Sequence, residues 1–176
     1  MEKEIFNGKV VRLTLEPKKI NKKNIEFEKV YIAGSVHIFV VTAAGKIRLV
    51  REKRWDRGDK IKDKVVAGIL EKKEKPLQAA KRELKEELGL TASKWKQFLV
   101  AEQKGVVNDK RIYYLASGLH QTTAQPEEGE KIVGYIDYSI KALFEKMLAG
   151  YFGTSPTAVA ITRLYYRVKK GEIRLK

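Results

Sequence analysis

A chain of 176 residues, 43% apolar and 34% charged, suits one soluble domain with a full core of its own. The absence of cysteine excludes a disulfide framework, a thiolate zinc site and a thiol nucleophile. Lysine and arginine number 37 against 22 aspartates and glutamates, and the formal charge of +15 favours anionic partners; basic residues as scattered as these do not separate nucleotides from nucleic acid or an acidic membrane surface.

The first residues, Met1, Glu2, Lys3, Glu4 and Ile5, carry no apolar signal-peptide segment, and the longest apolar run, 38–44, is too short to cross a bilayer; the expectation is a cytoplasmic protein. Residues 5–15 read as a strand through Val10, Val11, Leu13 and Leu15 that breaks at Glu16 and Pro17, and 25–33 as a second extended stretch. The apolar, β-branched run 35–42 reads as a buried strand, turned at 43–46 onto a hairpin partner at 47–51. The clearest helix is 76–88, with Pro76 at its first position and Gly89 just past its end, and with Leu77, Ala80, Leu84 and Leu88 as its buried stripe. Strands follow at 98–103 and 111–118, then an acidic loop at 127–131, a strand at 132–138, and helices at 140–149 and 156–168. With no repeat or linker, one domain over 1–176 is expected, its residues 1–33 forming an extra β region ahead of a core at 34–176. Runs of strands with helices between them predict an α/β fold, a mixed sheet covered by helices on both faces.

Within the 76–88 helix, Glu83 precedes Glu86 by three residues and Glu87 by four, spacings that put side chains on one face. Like charges so placed cost a helix roughly 0.2–0.5 kcal/mol per pair, so they call for a cation. Lys81, Arg82 and Lys85 can supply it, which would make this a solvated charged face; a bound metal can supply it, which would make it a site. The surrounding residues decide between the two. Gly68, Glu74 and the run Arg82-Glu83-Leu84-Lys85-Glu86-Glu87-Leu88-Gly89-Leu90 fill every specified position of G-x5-E-x7-R-E-u-x-E-E-x-G-u, where u is apolar: nine constrained positions over 23 residues, on a predicted loop, helix and loop. The pattern has a physical sense. Magnesium prefers oxygen ligands, Gly68 permits a tight loop whose carbonyl can face a cation, and Gly89 lets the chain leave the helix by a left-handed turn.

The chain thereby resembles the Nudix hydrolases. That resemblance implies a Nudix-type α/β/α sandwich with a mixed sheet, and metal-dependent hydrolysis of a phosphoanhydride bond in a nucleoside diphosphate derivative. Glu83 and Glu87 are then metal ligands, Glu86 a further ligand or a catalytic group behind them, and the Ala67 carbonyl an additional ligand, for Mg2+ or alternatively Mn2+. Arg82 would pair with Glu74 or Glu86, and Gly68, Glu74, Arg82 and Gly89 would be structural parts of the box.

Over 25–165 the chain also resembles the ADP-ribose pyrophosphatase branch. Leu49-Val50-Arg51-Glu52-Lys53-Arg54 is similar to its Leu-Val-Arg-Gln-Tyr-Arg segment, and Glu127-Glu128-Gly129-Glu130-Lys131-Ile132 to its acidic catalytic loop. This implies Arg54 and Arg51 as substrate contacts, and Glu130, then Glu128, as the base. It further implies ADP-ribose as the substrate, AMP and ribose 5-phosphate as products, and a homodimer built through residues 1–33. Two departures stand out: Val65-Val66-Ala67-Gly68 follows Lys64 where the branch has Glu-Leu-Pro-Ala-Gly, and Gln103-Lys104-Gly105 replaces a Ser-Pro-Gly-like turn. They leave the metal ligands in place but open the choice of substrate to nucleoside triphosphates, dinucleoside polyphosphates or capped RNA, with Lys104 as a contact for a more anionic molecule. A ligand sensor of the same fold without catalysis is disfavoured by the intact box. Of the other candidates, His37 reads as a structural strand residue, Trp55 and Trp95 as packing residues able to stack a base, and Tyr113 and Tyr114 as pointing to opposite sides of one strand.

Overall fold

In chain order the elements are β1 (Lys3–Asn7), β2 (Val11–Ile20), β3 (Lys23–Ile32), β4 (Ser35–Val41), β5 (Ile47–Arg54), β6 (Lys60–Lys64), β7 (Val66–Ile69), α1 (Pro76–Leu88), β8 (Leu90–Gln103), β9 (Val107–Gln121), β10 (Lys131–Tyr138), α2 (Ile140–Leu148) and α3 (Pro156–Lys169). The computed structural model describes residues 2–54, 58, 60–124, 131–152 and 156–175, the side chain of Arg54 excepted. The sheet runs β1-β2-β3-β9-β4-β5-β10, with β6 against β5, β7 against β4 and β8 against β9. β9 is parallel to β3 and β4, while the other described pairs are antiparallel. Among the described residues no helix is long and apolar enough to cross a membrane.

β4 is apolar from Ile38 to Val41, and apolar at Val36, because the sheet is buried on both faces. Phe39 and Val41 join Ile47, Leu49, Tyr113 and Leu115 in a core closed by Leu143 of α2 and Ala160, Ile161 and Leu164 of α3. Val36, Ile38 and Val40 join Val50, Ile112, Tyr114 and Ala116 in a second core closed by Ala79, Ala80 and Leu84 of α1. The result is the expected mixed sheet between helices, with α1 on one face and α2 and α3 on the other. Tyr113 and Tyr114 fall into different cores, as their alternation requires.

α1 begins and ends where the sequence places it. Pro76 opens it, and Gly89 closes it at φ 60° and ψ 38°, its N–H donating to the Leu84 and Lys85 carbonyls. A side chain at Gly89 would also meet the backbone of Ala124 at 2.7 Å and of Thr122 at 2.8 Å. The buried stripe is displaced from the expected one. Leu77 is 37% exposed and Leu88 half-buried, while Ala79, Ala80, Glu83, Leu84 and Glu87 are buried. The helix is rotated so that two glutamates, not two leucines, share the inner face with Ala80 and Leu84.

Other boundaries also differ from expectation. Residues 5–15 are not one strand: the chain reverses after Asn7, and β1 pairs with β2. Pro17 does not end β2. Beyond Leu15 no residue of β1 is paired, so Pro17 occupies an edge position, where its missing N–H is tolerated. Asn21 and Lys22, at φ 49° and 65°, form the two-residue turn into β3. β7 occupies a stretch expected to be loop, β6 one with no expected element, and β8 starts at Leu90, directly after the helix cap.

Candidate active site

Local rules place Glu83, Glu86 and Glu87 on α1 and Glu74 just ahead of it. Successive turns carry Ala80, then Glu83 and Leu84, then Glu87 on the buried side, leaving Glu83 5% and Glu87 2% exposed. A solvated charged face is therefore ruled out for these two residues.

Arg82 is the hub. Its Nε donates to Glu74 Oε1 at 3.1 Å, one terminal nitrogen donates to Glu83 at 2.7 Å and Glu86 at 2.9 Å, and the other to Glu74 Oε2 and the Ile69 carbonyl, both at 3.2 Å. One guanidinium thus holds three carboxylates, where one of Glu74 and Glu86 was expected. The bond to Arg82 lowers the Glu74 pKa below the ordinary carboxylate value, and Glu74 in turn leads the causes that raise that of Arg82.

A second cation serves Glu87. Lys64 ends β6 opposite Val50 of β5, and its Nζ lies 3.1 Å from Glu87 Oε1 and 3.5 Å from Glu52 Oε1. The Ala67 N–H donates to the same Glu87 oxygen at 3.3 Å. Ala67 and Gly68 lie in β7, paired with His37 and Val36 of β4, so they belong to a strand and not to a loop. The reason for glycine at 68 is space, since a Cβ there would collide with the Glu83 carboxylate. Lys64, Ala67, Gly68, Arg82 and Glu83 line a cavity of about 510 Å³, which Lys9 from the β1–β2 turn and Lys72 also border.

Some candidates are not brought here. Arg51 alternates to the opposite face of β5 from Glu52 and donates from Nε to Asp63 at 3.2 Å. Lys104 lies in the turn between β8 and β9, 76% exposed and 3.6 Å from Glu102, and is not among the residues around the cavity. The Arg54 side chain, Trp55, Glu128 and Glu130 lie outside what the structure describes. Trp95 is a packing residue, edge-on to Tyr114 at 6.2 Å and donating to the Ala92 carbonyl at 3.0 Å. His37 stacks on Tyr113 at 4.8 Å, and burial, aided by the charges of Arg111 and Lys64, pushes its pKa down to about 3, so it is neutral at ordinary pH. Lys64, Lys9 and Glu52 were not among the expected site residues; the only local signal was the lysine standing in the place of a glutamate before Val65.

Among the described residues no three carboxylate or histidine side chains converge by themselves on one point. Arg82 and Lys64 occupy the positions between them. The donors are nonetheless all hard oxygens, and the missing Cβ of Gly68 is the space into which Glu83 reaches, a donor set suited in kind to Mg2+ or Mn2+.

Comparison with known proteins agrees with this geometry. The NUDIX domain family matches residues 32–153. The chain is 40% identical over 94 residues to an ADP-ribose pyrophosphatase of Bacillus subtilis (strain 168), an alignment spanning 53% of this chain and 50% of that relative. A crystal structure of an ADP compounds hydrolase superposes with a TM-score of 0.74 at 14% identity, covering 98% of this chain and 95% of that one, which establishes the shared fold. With the family matched across most of its length and Gly68, Arg82 and Glu83 of the box lining one cavity, the chain belongs to the NUDIX domain family.

Proposed function

We propose that this chain is a divalent-metal-dependent pyrophosphohydrolase that converts ADP-ribose and water to AMP and ribose 5-phosphate. The observation that carries the proposal is the burial of Glu83 and Glu87 on the box helix, with Glu83, Gly68 and Arg82 at the wall of a 510 Å³ cavity. The 40% identity to an ADP-ribose pyrophosphatase supports the choice of substrate. Glu83, Glu86, Glu87 and the Ala67 carbonyl would hold the metal, with Mg2+ as the physiological ion. Such an ion, when bound, neutralises diphosphate oxygens and makes a water easier to deprotonate.

The protein's own part is positional. Arg82 fixes Glu83 and Glu86 from behind, and the backbone of β7 fixes Glu87. The attacking water oxygen bonds to one phosphorus, the bridging P–O bond breaks, and the water proton passes to Glu130 or, failing that, Glu128. Arg54 would bind a phosphate. The protein would act as a cytoplasmic homodimer joined through residues 1–33, whose Ile5, Phe6, Val10, Ile20 and Ile25 are each at least 40% exposed.

A panel of ADP-ribose, other nucleotide sugars, triphosphates, dinucleoside polyphosphates and capped RNA, incubated with Mg2+ and resolved by chromatography, tests this. AMP and ribose 5-phosphate from ADP-ribose are expected. Preferential turnover of another compound would retain the chemistry and reject the substrate. No turnover with Mg2+ or Mn2+ would reject both.

A further inference from the structure

Of the cavity's charged residues outside the box pattern (Lys9, Lys64, Glu71 and Lys72), Lys64 is the one bonded to a box carboxylate among the described contacts. Its position opposite Val50 puts it on the α1 side of the sheet. There its ammonium bridges Glu87, whose side chain is wholly buried, and Glu52, whose side chain is 6% exposed, while Lys64 itself stays 25% exposed and borders the cavity with Ala67, Gly68 and Glu83. Oε1 of Glu87 accepts from both Lys64 and the Ala67 N–H, which engages both of its lone pairs. A carboxylate taken this far out of water keeps its charge only beside a cation. A divalent ion that uses Glu87 therefore meets a positive charge already tethered to it.

Building on the metal site proposed above, we infer that Lys64 is an internal counter-ion that stands in for divalent charge at Glu87. It maintains the metal-free site and holds the affinity for the divalent ion down. An ammonium a few ångströms from a divalent ion repels it strongly enough to change its affinity about tenfold or more, even at the effective dielectric of a protein surface.

The test is Mn2+ titration of the full chain without substrate, followed by loss of the free-ion electron paramagnetic resonance signal. Lys64→Met should bind Mn2+ about tenfold tighter than the parent, and Lys64→Arg, which keeps the charge, should remain close to the parent. Without metal, Lys64→Met should melt lower than the parent, and it should gain more from added Mn2+. Equal or weaker Mn2+ binding by Lys64→Met would overturn the inference and leave Lys64 a packing partner, with the metal site intact. Absence of binding by all three proteins would overturn the metal site and this inference with it. Should Lys64→Met fail to fold, the double variant Lys64→Met/Glu52→Gln removes one charge of each sign and carries the same comparison.

Discussion

Asp63 and Lys64 are neighbours in β6 and serve opposite faces of the sheet. On one face, Asp63 is buried and takes Arg51 Nε at 3.2 Å, the Tyr138 hydroxyl at 3.3 Å and the Tyr151 hydroxyl at 2.9 Å. Burial first, and then this bond, push the Tyr151 hydroxyl up to about 12, so it stays a donor. Donors are matched to one acceptor group, and the network ties β5, β6, β10 and the end of α2 together. On the other face, Arg82 is shared by Glu74, Glu83 and Glu86, and Lys64 by Glu52 and Glu87, at the edge of a cavity. A buried carboxylate matched by its donors marks a structural joint. Carboxylates that share their cations beside a cavity mark a place for further positive charge.

The largest effect that can break this comparison is expected from Glu87→Gln. It removes a ligand charge while keeping the shape, and turnover should fall by more than the about 10–100-fold that loss of an outer partner of a metal site costs, with the circular dichroism spectrum unchanged. Gly68→Ala should come next. The added methyl displaces the Glu83 carboxylate, so turnover should drop further than the melting temperature does. Parent-like turnover by this variant would mean that Glu83 has no fixed place in the chemistry.

Asp63→Ala should behave in the reverse sense. It removes a buried acceptor from the exposed Arg51 and from two tyrosine hydroxyls, and should cost about 1–3 kcal/mol in denaturant unfolding while turnover stays near that of the parent. A collapse of activity at unchanged stability would merge the two networks into one site.

The smallest effect concerns pH. Arg82 holds the folded-state pKa of Glu74 below its ordinary value of 4.5, so the stability this pair contributes is complete above pH 4.5 and is lost as pH falls through the depressed value. Glu74→Gln should flatten that acid limb in thermal melts relative to the parent. An acid limb of unchanged steepness would remove Glu74 from the account of acid stability.

Much of this was legible in the sequence where local chemistry decides structure. Pro76 and Gly89 set both ends of α1, and the apolar run Ile38 to Val41 in β4 reported a strand buried on two faces. β6 was not legible, because Lys60, Lys62, Asp63 and Lys64 show no apolar alternation and the strand exists through its pairing with β5. The stripe of α1 was misplaced for a related reason: Leu77 is more apolar than Glu83, yet the packing of the helix against β7 and its bonds to Arg82 turn the glutamates inward. The box named the carboxylates but not Lys64, since what makes that lysine part of the site is its reach from β6 to Glu87, 23 residues apart in the chain.

The most direct measurement is release of AMP from ADP-ribose by the parent protein and by Glu87→Gln, first in excess chelator and then as Mg2+ is added back. The account predicts no turnover in chelator, recovery with Mg2+ in the parent, and no comparable recovery in the variant. Turnover that persists in chelator, or full recovery in Glu87→Gln, would contradict it.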